Sequence, residues 1–157
     1  MSLDVGAKAP DFTLPDQDRQ PITLSAELQK HQAVMLAFFP AAFSSVCTNE
    51  MCTLRDQLGS LNSLAKAQVF GISVDTFWAL KAFGTEQKLT FPLLSDFNKD
   101  AIRAYDVVNP DMVGLKNIAK RAVFVIGRDG KVRYREVLDD ARNEPDYGKL
   151  NAALAGL

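Results

Sequence analysis

Seven consecutive apolar residues, Ala33-Val34-Met35-Leu36-Ala37-Phe38-Phe39, show no polar alternation and stop at Pro40. A strand with one wet face alternates with a period of two, so this run reads as a central strand covered on both faces. The next segment has a different period. Cys47, Met51, Leu54, Leu58, Leu61 and Ala65 recur at steps of 4, 3, 4, 3 and 4. That spacing draws one apolar stripe along a helix of about five turns. A buried strand feeding an amphipathic helix points the chain toward the α/β class.

The remaining segments extend this pattern. Short strands are expected at 11–14 and 22–24 around the polar turn 16–20. A brief helix capped by Ser25 and ending near Lys30 follows. Further on come a strand at 69–74, Asp75 as the cap of a helix reaching about Phe83, and a strand at 91–94. Pro92 suits an edge strand better than a central one. A helix at 99–105 leads into a loop at 107–119. A hairpin pairs 122–126 with 132–137 about Gly127-Arg128-Asp129-Gly130, and a last helix follows Pro145. This order resembles a thioredoxin-like sheet with an N-terminal hairpin and an inserted strand–helix. Residues 1–157 are expected to form one domain, large enough to bury about two-thirds of the surface exposed when unfolded.

Composition narrows the function. A net charge of −1 over 157 residues gives no basic face for nucleic acid or acidic lipid. No apolar run approaches the ~20 residues that span a bilayer, and the first six residues lack the pattern of a signal peptide. The expected compartment is the cytosol, where a disulfide is more often catalytic or transient than structural.

Cys47 and Cys52 are the only cysteines. Cys47 falls where a strand gives way to a helix, a place where backbone N–H groups favour a thiolate. Open α/β sheets commonly hold their sites at the carboxyl ends of strands. Cys52 lies off the apolar stripe with Thr48, Arg55 and Asp56 as face-mates, so its thiol is expected nearer solvent. On an intact helix, residues five apart have Cα atoms about 8.6 Å apart, beyond the ~7 Å that a disulfide tolerates. A bond between the two thiols therefore requires the first turn to unwind. Were the substrate a peroxide, Ser44 and the N–H groups of Val46 and Cys47 are placed to hold its oxygens, and a guanidinium would complete the set. A metal site is not expected: the cysteine spacing is wrong for one, and His31 has no companion.

The stretch Phe38-Phe39-Pro40-Ala41-Ala42-Phe43-Ser44-Ser45-Val46-Cys47-Thr48-Asn49-Glu50 resembles a peroxiredoxin, whose pattern sets Pro, three residues, Thr or Ser, two residues, then the reactive Cys. The likeness continues through Gly6-Ala7-Lys8-Ala9-Pro10-Asp11-Phe12-Thr13-Leu14, Gly71-Ile72-Ser73-Val74-Asp75, Phe91-Pro92-Leu93-Leu94-Ser95-Asp96 and Arg121-Ala122-Val123-Phe124-Val125-Ile126. It implies a thiol peroxidase without metal or prosthetic group, acting on hydrogen peroxide and organic hydroperoxides and recycled by a thioredoxin-like protein. By the same resemblance Cys47 is the nucleophile, Ser44 and Arg121 orient peroxide and favour the thiolate, and Pro40 shields the pocket. Glu50 would position the arginine, or serve only as a first-turn acid. Phe43 and Val46 would line the pocket, whose mouth is expected from the loops near Phe43 and 107–119. Phe77 and Trp78 are expected in the core or an interface.

The Cys-x4-Cys spacing is that of the bacterioferritin comigratory (Q-type) subfamily, in which the second cysteine resolves the first. The surroundings also resemble the one-cysteine alkyl hydroperoxide reductase E type, in which Cys52 would be idle. A thiol–disulfide oxidoreductase without peroxidase activity is a third reading, although such enzymes normally space their cysteines by two residues. Monomer and homodimer are both open.

Overall fold

The computed structural model describes residues 3–65 and 67–157, with the backbone alone for 58–65. Its elements run β1 (Thr13–Pro15), β2 (Pro21–Thr23), α1 (Leu24–Lys30), β3 (Ala33–Phe38), α2 (Ser45–Ala65), β4 (Ala67–Ser73), α3 (Phe77–Glu86), β5 (Leu93–Ser95) and α4 (Asp100–Ala104). They continue as β6 (Val108–Met112), β7 (Leu115–Ala119), β8 (Arg121–Gly127), β9 (Val132–Leu138) and α5 (Tyr147–Ala155).

A five-stranded sheet in the order β5-β4-β3-β8-β9 forms the centre. β3 runs parallel to β4 and antiparallel to β8. Every residue of β3 is buried, for the reason its composition suggests: the pleat sends alternate side chains into two different cores. Val34, Leu36 and Phe38 pack with Phe70, Ile72, Tyr105 and Phe124 on one face. Met35, Ala37 and Phe39 pack with Cys47, Met51, Leu54, Phe83 and Leu150 on the other. The expected stripe of α2 therefore faces the sheet at Cys47, Met51 and Leu54; the side chains of Leu58, Leu61 and Ala65 lie outside the described residues.

Three local expectations are corrected. Ser25 does not cap α1. It sits inside the helix, and the cap comes from a distant residue, since its N–H and hydroxyl both donate to the Asp11 carboxylate at 2.9 and 2.8 Å. Asp75 does not cap α3 either; the Thr76 hydroxyl accepts from the Ala79 N–H at 3.2 Å. Residues 107–119 form a hairpin, β6 with β7, rather than a loop. Its turn, Val113-Gly114, has φ of 46° and 90°, the left-handed pair that a two-residue hairpin turn requires. Valine disguises that turn in the sequence. So does Pro110, over which the pairing passes from Asn109–Ile118 to Asp111–Lys116.

Candidate active site

The site begins where β3 ends. The Phe39 N–H still donates to the Ile72 carbonyl at 2.9 Å, and Pro40 then ends the strand. A tight turn follows in which Phe43 adopts φ 69° and the Ser44 hydroxyl donates to the Ala41 carbonyl at 2.9 Å. Asp75, two residues past the end of the neighbouring β4, holds this turn by accepting from the Ala42 N–H at 2.8 Å and from the Ser73 hydroxyl at 2.6 Å. The helical ladder starts with the Thr48 N–H on the Ser44 carbonyl at 2.9 Å. Cys47 thus lies in the first turn of α2, where backbone N–H groups have no partner within the helix.

Arg121 is the first residue of β8, and the pairing of Phe38 with Ala122 sets it beside the end of β3. Its side chain is 1% exposed and each of its nitrogens donates a hydrogen bond. Nη2 donates to Cys47 Sγ at 3.2 Å and to the Ala141 carbonyl at 2.9 Å, Nε to the same carbonyl at 3.2 Å, and Nη1 to Glu50 Oε2 at 2.6 Å. Burial opposes the charge on Arg121, but Glu50 and Cys47 more than offset it and raise its proton affinity above the ordinary value. Glu50 is enclosed completely. Burial pushes its carboxyl from 4.5 up to about 7 against the pull of Arg121, and Glu144 and Glu136 add to the rise. Its Oε1 has no hydrogen-bond partner among the described residues.

Ser44, Val46 and Arg121 line an open cleft of about 660 Å³ together with Asn109, Met112 and the exposed Val113 of the hairpin and residues 139–142. Cys47 lies behind these side chains, 1% exposed. A larger groove of about 830 Å³ lies at Gly127 and Arg133, at the opposite end of β8, roughly 20 Å along the strand. It contains no thiol.

Chemically, a guanidinium held by Glu50 and the Ala141 carbonyl and donating to a sulfur at a helix start stabilises negative charge that develops beside it. The family follows from this arrangement together with sequence comparison: residues 5–135 match the model of the AhpC/TSA family. The chain belongs to the AhpC/TSA family. Alkyl hydroperoxide reductase E of Mycobacterium tuberculosis is 40% identical to this AhpC/TSA chain over 137 residues, 86% of either protein. The chloroplastic 2-cysteine peroxiredoxin of Chattonella marina is 35% identical over 147 residues, 87% of this chain and 72% of the relative. Among solved structures, peroxidoxin BcpB of M. tuberculosis superposes with a TM-score of 0.86 at 30% identity, over 99% of this chain and 98% of that one. This AhpC/TSA chain is a peroxiredoxin and an enzyme, a thiol-dependent peroxidase with the thioredoxin-like fold.

Cys47, Arg121 and Glu50 form one hydrogen-bonded cluster, as the resemblance implies. One expectation is corrected. Phe43 is half exposed and meets Phe83 edge-on with centroids 5.1 Å apart, outside the cavity wall. Trp78 is 69% exposed, which leaves the interface rather than the core as its expected place. Pro40 is buried and does not line the cavity. Cys52 is partly buried, its Sγ donating to Gln87 Oε1 at 3.5 Å. The sequence reading missed the Ala141 carbonyl and the Asp75 tether. A backbone carbonyl leaves no mark in the sequence, whereas Asp75, directly after a strand end, was visible but assigned to the wrong partner. Among the described residues no helix is long and apolar enough to cross a membrane.

Proposed function

We propose that Cys47 reduces hydroperoxides and that Cys52 resolves the product. The Cys47 thiolate attacks the terminal oxygen of the hydroperoxide. An S–O bond forms, the O–O bond breaks, and the leaving alkoxide departs as alcohol or water after taking up a proton. Arg121 stabilises the negative charge as it moves from sulfur to the leaving oxygen. Cys52 then attacks the Cys47 sulfenic acid, forming the disulfide and releasing water. A dithiol reductant of the thioredoxin type restores both thiols by exchange. The contact that carries this reading is the 3.2 Å bond from Arg121 Nη2 to Cys47 Sγ, made inside a buried cluster.

The Val46, Met112 and Val113 side chains on the cavity wall suit a hydroperoxide with an apolar substituent as well as hydrogen peroxide. The relatives named alkyl hydroperoxide reductase agree with that choice. Cys47 and Cys52 stand on one intact helix, so the ~8.6 Å between their Cα atoms must shrink by local unwinding before the sulfurs bond. Turnover of the Cys52→Ser variant with thioredoxin tests the second step. Loss of turnover, with the first oxidation retained, supports resolution by Cys52. Undiminished turnover leaves Cys52 idle and assigns resolution to an external thiol.

A further inference from the structure

Cys52 and Arg55 both reach the same residue across the gap between α2 and α3. Cys52 Sγ donates to the side-chain oxygen of Gln87 at 3.5 Å, and the Arg55 guanidinium donates to the Gln87 carbonyl. Their three-residue spacing puts both side chains on one helix face. Asp56 first, with Cys52 adding in the same direction, raises the proton affinity of Arg55.

Gln87 is itself held firmly. Its N–H donates to the Phe83 carbonyl at 3.0 Å, the Lys88 N–H to Thr85 at 3.2 Å and the Leu89 N–H to Gly84 at 2.9 Å. With Lys88 at φ 53°, these bonds make the paired closure that ends a helix rigidly. The face carrying Cys52 is turned about 140° from that carrying Cys47, so the two sulfurs meet only if this part of α2 rotates or unwinds away from α3. We propose that Gln87 and Arg55 latch α2 to the end of α3 and set the rate at which Cys52 reaches oxidised Cys47.

The inference rests on Cys52 being the resolving thiol. The step it governs joins the two sulfurs and expels the sulfenic oxygen as water, with no further oxidant. Gln87 and Arg55 act through Cys52 and are positioning residues.

Rapid-quench alkylation with mass spectrometry, after one equivalent of hydrogen peroxide, separates oxidation of Cys47 from disulfide formation. In Gln87→Ala and Arg55→Leu the first step should keep its wild-type rate, and the second should accelerate about 5-fold for each hydrogen bond lost. Arg55→Leu guards against an effect peculiar to the Gln87 position. Equal disulfide rates in wild type and both variants overturn the latch alone. A change of both steps by the same factor assigns these contacts to the fold and also overturns it. If the wild type forms no disulfide, the resolving role of Cys52 fails, and the latch with it.

Discussion

Replacing Glu50 with glutamine isolates the most heavily buried carboxyl of the site. The group is wholly enclosed, and burial carries it from 4.5 up to about 7. Between those values the unfolded chain has lost a proton that the folded chain still holds, so stability falls as pH rises through the window. That sign is opposite to the one for an exposed, salt-bridged carboxylate. Each tenfold difference in proton affinity is worth about 1.4 kcal/mol, so the folded state gives up roughly 3 kcal/mol across the window. Glutamine still offers an oxygen to Arg121 and does not titrate. Subtracting the variant's stability from that of the wild type at each pH cancels the distant titrating groups to first order. Urea unfolding of both proteins from about pH 5 to about pH 8 reads the difference. The wild type should lose about 3 kcal/mol relative to the variant as pH rises. Parallel curves would mean that Glu50 titrates alike in both states and would refute the argument that burial outweighs its pairing with Arg121.

Arg121→Lys retains a cation but cannot span Cys47, Glu50 and Ala141 together. The second-order rate of Cys47 oxidation by peroxide should drop by about 10² or more, and stopped-flow kinetics showing an unchanged rate would remove Arg121 from the chemistry. Gly71→Ala forces a methyl to within 2.7 Å of Leu93 Cδ2 and 3.3 Å of Met51 Sδ and Phe39 Cε1. Overpacking of this kind costs about 1–3 kcal/mol, measurable as a lower thermal midpoint. Unchanged stability would show that Leu93 yields without strain.

What the sequence reveals divides along the range of the interactions. β3 and the first turns of α2 are set by local period, and the residues 33–39 and 47–54 announce both their elements and their buried faces. The step from Cys47 to Arg121 is of another kind. It depends on β8 lying antiparallel against β3 with Ala122 opposite Phe38, a pairing across 84 positions that no local pattern shows; the resemblance supplied Arg121 alone. Glu50 reads equally well as an ordinary first-turn acid, because its partner Arg121 and the nearby charges of Glu136 and Glu144 come from distant parts of the chain. A phenylalanine gives no sign of the left-handed backbone that Phe43 adopts. Val113 concealed a hairpin turn in the same way.

The claim on which the whole account depends is that Cys47 Sγ is the atom that hydroperoxide oxidises. Peptide-level mass spectrometry of the Cys52→Ser variant, trapped after one equivalent of hydrogen peroxide, addresses it directly. The account predicts stoichiometric gain of one oxygen at Cys47, with the remainder of the chain unmodified. A free Cys47 thiol after the peroxide has been consumed, or peroxide left unconsumed beside the intact protein, would contradict it.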